Sequence, residues 1–336
     1  MIVRFFLLFF AFQNVRAGIL ERDRTVDDIV IQKTLSTEDR SVSLPLPFFM
    51  KSFSIFNNLV ENDKTGERYE IKARIGELHD RINDPNIALG SDYVLFLGGS
   101  NTFGLWLEDD QTIPYLVQKK IGSKQKVFNL ACGGCSLAYM YYIVRNSKAI
   151  EKLKSKKGIL IYNFFDFHIL RDNCLPPELL WNRGYVPSFD YVDQKLEYKN
   201  LCSEQLRVKL TLFSNSMFQY MPFLKWFLPK NAKYHDIIQH QHIAYTIKLY
   251  SEIIRELGGT NQVTPYLLFN PMGIAFDKSK MDDMTELAKK EGIISIWVDE
   301  KWTTRDLVFK FDKHYNQKGA EALAHFISRK IFNISN

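Results

Sequence analysis

The chain of 336 residues shows no internal repeat of the kind that builds solenoids. It has neither a collagen-like bias nor a long low-complexity tract. Fibrous and repeat architectures are therefore excluded. No uninterrupted apolar run reaches the roughly 20 residues that a membrane-spanning helix needs. The run Phe5–Phe12 is too short, and Ser214, Asn215, Ser216, Gln219 and Lys225 interrupt the apolar stretch Leu210–Leu228. Cysteine is scarce, with four residues, Cys132, Cys135, Cys174 and Cys202. Cys132 and Cys135 have the spacing of a redox pair or half a zinc site, but no second Cys-x-x-Cys accompanies them. Two structural bridges or free thiols are the simpler reading, with the pairing open. Three histidines, His235, His240 and His242, share one expected helix without the i,i+3 or i,i+4 spacing of a metal pair, and no His-Glu-x-x-His motif is present. No metal and no cofactor is expected. A strong excess of one charge is also missing. The formal charge is +6, and the densest basic run, Glu151–Lys157, reads as a solvated helix end that complements the helix dipole. No nucleic-acid-binding motif is found.

What is present is an ordinary globular composition, 46% hydrophobic and 24% charged. Aromatic residues reach 14%, with 26 Phe, so bulky side chains are expected to fill the core. The N-terminus reads as a signal peptide over residues 1–17. Arg4 supplies the positive n-region, Phe5–Phe12 the apolar core, and Val15-Arg16-Ala17 a cleavage site before Gly18. Its removal deletes two arginines and no acid, which lowers the charge from +6 to +4. The expected location is secreted or periplasmic, with an uncleaved N-terminal membrane anchor as the alternative.

Residues 18–90 read as an irregular lead-in that packs on the main domain. From residue 91 to 336 the pattern changes. Five short apolar runs, Tyr93–Leu97, Val127–Ala131, Gly158–Phe164, Pro265–Asn270 and Ile293–Val298, suit strands buried on both faces of a parallel sheet. Helices are expected at Gln111–Ile121, Ala138–Leu153, Tyr234–Leu257, Lys280–Lys290 and Gln317–Phe332. This alternation predicts a doubly wound α/β fold. The interval 172–233 breaks it and reads either as an inserted lid or as a buried helical hairpin. Trp181, Trp226, Trp297 and Trp302 are either packing residues or platforms for sugar rings.

Three segments carry chemistry. The first strand runs into Gly98-Gly99-Ser100-Asn101-Thr102-Phe103-Gly104, which places a serine just past the carboxyl end of a core strand, where open α/β sheets bind ligands. Far along the chain, Asp312-Lys313-His314 lies immediately before the last helix. One loop can thus deliver a base for the serine and a carboxylate to orient that base. Asn316 on the same loop suits a helix N-cap. After the second strand comes Asn129-Leu130-Ala131-Cys132-Gly133-Gly134, whose paired glycines allow a backbone N–H to approach a substrate oxygen, as an oxyanion hole requires.

In this order and at these strand ends, the three segments resemble the SGNH/GDSL hydrolase superfamily, from about Asp92 to the C-terminus. Gly99 stands where the name-giving motif usually has Asp. The resemblance implies a flavodoxin-like three-layer αβα sandwich with a five-stranded parallel sheet. It implies catalytic Ser100, Asp312 and His314, and an oxyanion hole from the N–H groups of Ser100 and Gly134. The family's third block normally completes that hole with an Asn side chain. Aligning Asp166 with the family Asp puts Phe165 in that place and Asn163 two residues early. Asn163 is the first candidate for that donor and His168 the second. Asn101, Asp166, His168 and Arg171 are the further candidates for contacts to substrate or to the catalytic groups.

The resulting expectation is an exported serine esterase or O-acyltransferase, acting on an acyl group, preferably acetyl, of a cell-envelope or extracellular glycan or of a small ester. Residues 210–228 are a candidate for peripheral membrane contact or for a lipid acyl chain. The alternative is a catalytically degenerate relative that binds an acylated glycan or lipid. Oligomeric state is not legible in the sequence.

Overall fold

The computed structural model describes residues 29–36, 55–62, 68–175 (except 77, 79, 84 and 85), 186–192, 195–205, 238–270, 278–298, 305–309 and 314–334. Residues 1–17, most of the insertion including 210–228, and Asp312 lie outside the described residues.

In chain order the strands are β1 (Ile29–Ser36), β2 (Ile55–Asn62), β3 (Arg68–Arg74), β4 (Asp92–Gly98), β5 (Lys126–Asn129), β6 (Lys157–Phe164), β7 (Pro187–Val192), β8 (Lys195–Leu201), β9 (Val263–Phe269) and β10 (Ile294–Trp297). The α-helices are α1 (Ser100–Phe103), α2 (Ile113–Ile121), α3 (Leu137–Asn146), α4 (Glu151–Lys154), α5 (Phe167–Asp172), α6 (His240–Glu256), α7 (Lys278–Lys290) and α8 (Gln317–Phe332).

Five strands form one sheet in the order β10-β9-β6-β4-β5, all parallel. Counted from the first core strand this is 2-1-3-4-5, the flavodoxin-like order. The sheet is covered on both faces over its central strands, whereas the edge strand β10, expected to be buried, leaves Ile294 and Trp297 exposed. Successive side chains of a strand point to opposite sides, and β4 shows it directly: Tyr93, Leu95 and Leu97 enter the core with α3, α6 and α7, while Val94 and Phe96 enter the core with α2 and α8. All five are fully buried, which explains why the strand reads as an unbroken apolar run. The first crossover leaves β4 on one side of the sheet and the next returns to β6 on the other. The rim between β4 and β6 is therefore a topological switch point, the place where such sheets open a ligand crevice.

Two expectations change. The lead-in is not irregular throughout: β1, β2 and β3 pair as an antiparallel three-stranded sheet. Their polar residues masked the pattern, since Asn57, Asn58, Lys72 and Glu70 interleave with the apolar ones. The helix expected over Ala138–Leu153 is two helices, α3 and α4, because the backbone of Ser147 is extended (ψ 118°). Within the insertion, β7 and β8 pair antiparallel, and the apolar stretch that the helical alternative would use lies outside the described residues. Disulfides join Cys132 to Cys135 and Cys174 to Cys202, with Cα atoms 5.3 and 5.4 Å apart.

Candidate active site

β4 ends at Gly98, and the chain turns at once into α1 with Ser100 as its first residue. A side chain at Gly98 would collide with Thr102, since a Cβ there would lie 2.2 Å from Thr102 Oγ1. The turn is therefore as tight as the sequence suggests, and it leaves Ser100 half-buried at the carboxyl rim. α1 is only four residues long and has no side-chain cap. Its C-terminal carbonyls are held from outside. The buried Arg81 donates from Nη1 to Phe103 O (3.1 Å) and Gly104 O (2.7 Å), from Nη2 to Leu107 O (2.6 Å), and from Nε to Asp109 Oδ1 (2.8 Å). Asn129, at the end of β5, donates to Thr102 O and Phe103 O at 3.1 and 3.3 Å.

His314 reaches the same point from the other end of the chain. Its Nε2 lies 2.6 Å from Ser100 Oγ, across 214 residues of sequence. The loop is fixed by an antiparallel bridge between Val308 and Tyr315, made by Phe309 N–H donating to His314 O at 2.9 Å and Asn316 N–H donating to Leu307 O at 3.1 Å. Asn316 then caps α8, its Oδ1 accepting from Gly319 N–H at 3.0 Å. A side chain at Gly319 would strike Leu307 O. Asn316 and Gly319 thus build the loop that presents His314.

Asn101, buried beside the serine, accepts the Tyr315 N–H on Oδ1 at 2.9 Å. The neighbour of the serine thereby holds the neighbour of the histidine. Behind this contact runs a buried polar chain that the sequence did not disclose. Tyr315 Oη donates to Asn270 Oδ1 (2.8 Å), Asn270 Nδ2 to Asn163 Oδ1 (3.3 Å), and Asn163 Nδ2 to Thr102 Oγ1 (3.0 Å). Burial pushes the Tyr315 phenol well above its ordinary range, so it donates at any working pH. The amide of Asn163 is thus bonded inside the rim, to α1 and to the end of β9. Thr102, Asn270 and Tyr315 went unremarked in the sequence because their partners lie 45 to 214 residues away.

The Cys132–Cys135 loop that carries Gly134 is tied to the serine turn. Cys132 N–H donates to Gly98 O at 3.4 Å, and Gly134 adopts a left-handed φ of 77°, which favours glycine. Arg171 donates from Nη1 to Cys135 O at 3.3 Å and lies 4.4 Å from the centroid of the Phe167 ring. Asp166 caps α5, accepting Phe167 N–H at 2.7 Å. His168 is fully buried beneath Gly99. A polar cavity of about 580 Å³ opens elsewhere, between α5 and the β7–β8 hairpin, lined by Asp172, Ser188, Asn200, Gln205 and Tyr245 among others. Neither Ser100 nor His314 lines it, and its polar groups bond one another: Gln205 donates to Ser188 Oγ at 3.1 Å, and Ser188 to Asn200 Oδ1 at 3.2 Å.

Fold and site together define a doubly wound α/β protein with a serine–histidine pair at the switch point of its sheet. Among the described residues no cluster of His, Cys, Asp and Glu is arranged to hold a metal ion, and no helix is long and apolar enough to cross a membrane. No family model and no curated protein matches the chain. Among solved structures it is similar to a lipase/acylhydrolase from Enterococcus faecalis, at 12% identity over 73% of this chain and 96% of that one (TM-score 0.38). It is also similar to an α/β hydrolase enzyme from the metagenome of Lake Arreo, at 12% over 72% and 95% (TM-score 0.37). A mutant of an acetyl-xylooligosaccharide esterase from Geobacillus shows 15% identity over 73% and 95% (TM-score 0.35). At such identities and TM-scores the chemistry of this chain has to be read from its own side chains.

Proposed function

We propose that the chain is an exported serine esterase or O-acyltransferase in which Ser100 is the nucleophile and His314 the general base. The observation that carries this reading is the 2.6 Å separation of His314 Nε2 and Ser100 Oγ, within the range a proton transfer requires. The Ser100 oxygen attacks the ester carbonyl while its proton passes to His314 Nε2. Collapse of the tetrahedral intermediate breaks the bond to the alcohol oxygen, which leaves with that proton. Water, or an acceptor hydroxyl in a transferase, then attacks the acyl-serine, again giving its proton to His314, and Ser100 recovers it on release. Asp312, two residues before the base, is assigned to orient the imidazole and stabilise its cation. The backbone N–H groups of Ser100 and Gly134 are assigned to the oxyanion. The order of these segments, which matches that of the SGNH/GDSL hydrolases, supports the reading. The signal-peptide pattern of residues 1–17 and the two disulfides support export. An O-acetylated extracellular or envelope glycan is the preferred substrate, ahead of a small ester.

The test is Ser100→Ala, assayed with p-nitrophenyl acetate. The expected loss in kcat/KM is about 10³-fold or more, and a serine-directed phosphonate is expected to label wild type at Ser100 only. Equal turnover by the variant removes the nucleophile. One observation favours a second reading, a binding protein without turnover: the Asn163 amide, the candidate third oxyanion donor, is bonded to Thr102. Under that reading wild type resists the phosphonate yet retains an acetylated oligosaccharide.

A further inference from the structure

Beneath the serine turn lies a histidine that the mechanism above does not use. His168 is completely buried, and its Nδ1 is 2.8 Å from Tyr162 Oη and accepts Phe165 N–H at 3.4 Å. A backbone N–H can only donate, so Nδ1 carries the lone pair and Nε2 the proton. Burial, with Arg171 nearby, holds the imidazole neutral by pushing its pKa far below the histidine range. Nε2–H has no hydrogen-bond partner among the described residues. It faces Gly99. A Cβ on residue 99 would fall 2.8 Å from Nε2, with Cys135 O at 3.8 Å. The imidazole therefore stands in the volume that a side chain at position 99 would need, between the turn bearing Ser100 and the loop bearing Gly134.

The ring cannot swing aside. It stacks on Tyr162 (centroids 5.5 Å apart) and meets Phe164, Phe165 and Phe167 edge-on at 6.1, 5.7 and 4.8 Å. Close-packed aromatic surroundings of this kind transmit a displacement instead of absorbing it. Residue 99 lies on the backbone between β4 and α1, so a Cβ added there displaces the turn that bears Ser100.

We infer that His168 is a positioning residue for the nucleophile, its imidazole serving as the missing side chain of position 99 and setting the spacing between Ser100 and the Gly134 loop. The inference rests on the serine-nucleophile reading. It explains why this chain has Gly at a position where the SGNH/GDSL motif usually has Asp.

A reciprocal exchange tests it. Gly99→Ala forces a Cβ against Nε2, and the turn shifts. His168→Asn keeps an oxygen to accept from Tyr162 and Phe165 and removes only the ring atoms that face Gly99. On folded protein with p-nitrophenyl acetate, each single variant is expected to lose about 10-fold to 100-fold in kcat with KM little changed. The double variant is expected to be faster than Gly99→Ala, because the added methyl then fills the vacated space. A purely structural role would couple the two sites in thermal stability and leave kcat unchanged. The inference is overturned by a Gly99→Ala enzyme with wild-type kcat, or by a double variant no faster than Gly99→Ala. If His168→Asn does not fold, Gly99→Ala decides alone. Phosphonate labelling of wild type separates the outcomes: an unlabelled wild type removes the serine reading, whereas a labelled wild type with an indifferent Gly99→Ala removes only the role of His168.

Discussion

At the scale of single residues, the site is held by groups that do not react. Asn101 bonds the backbone of Tyr315 and so keeps His314 facing Ser100. Asn101→Ala is expected to lower kcat by about 10-fold to 100-fold with KM little affected, measured with the same acetyl ester. Asp172 makes a different prediction. It is buried, accepts Ala138 N–H at 2.9 Å and Thr246 Oγ1–H at 3.2 Å, yet burial wins over these bonds and pushes its pKa from 3.8 up to about 7. A carboxyl whose pKa is raised by folding binds its proton more tightly in the folded state. Its contribution to stability is complete below the unfolded pKa and is lost as pH rises through the folded one. Between pH 4 and 7 wild type should lose stability relative to Asp172→Asn, by roughly 1.4 kcal/mol for each unit by which the pKa is displaced. Urea denaturation of both proteins across that window checks it, and parallel curves would contradict it.

At the scale of elements, α1 is too short to stabilise itself. Four residues without a side-chain cap sit below the length at which a helix is stable alone. Arg81, contributed by the segment before the core, supplies the donors that its carbonyl end lacks. A planar guanidinium reaches several acceptors at once, which a lysine ammonium on its flexible stem does not match. Arg81→Met leaves three carbonyls without that donor and Asp109 with Arg74 alone. The expected cost is about 3 kcal/mol or more, read as a lower denaturant midpoint at unchanged m-value. Activity should fall with it, because the displaced element carries Ser100. No pattern in the sequence around residue 81 signalled this, since three of its acceptors are backbone atoms, which leave no trace in composition, and the fourth, Asp109, lies 28 residues away.

At the scale of the whole molecule, the parallel sheet brings residue 100 and residue 314 to one rim, and the two disulfides fasten what lies outside it. Cys174–Cys202 ties the β7–β8 hairpin to the end of α5 across 28 residues, whereas Cys132–Cys135 spans three. Loop-closure entropy grows with the length enclosed, to about 3–4 kcal/mol for the longer loop against about 2 for the shorter. Replacing Cys174 and Cys202 by Ala should therefore lower the melting temperature more than replacing Cys132 and Cys135. The shorter bridge should matter more to kcat, because it closes the loop that carries Gly134. Differential scanning calorimetry and steady-state kinetics on the two double variants separate these effects.

The amino-acid sequence determined the architecture and pointed to the serine and histidine that the fold brings together. The strands announce themselves as apolar runs, β4, β6 and β9 because both faces of the sheet are covered over them, although the edge strand β10 leaves Ile294 and Trp297 exposed, and a serine after paired glycines or a histidine before a helix is a local pattern. The N-cap at Asn316 was legible for the same reason. Only the tertiary structure decided which side chains support that pair. It committed Asn163 to Thr102 and Asn270, placed Arg81 on the end of α1, and set His168 under Gly99. These are contacts between segments distant in the chain. Hydrogen bonding and packing in three dimensions assign them, and the one-dimensional order of residue types carries no record of which distant atom each will meet.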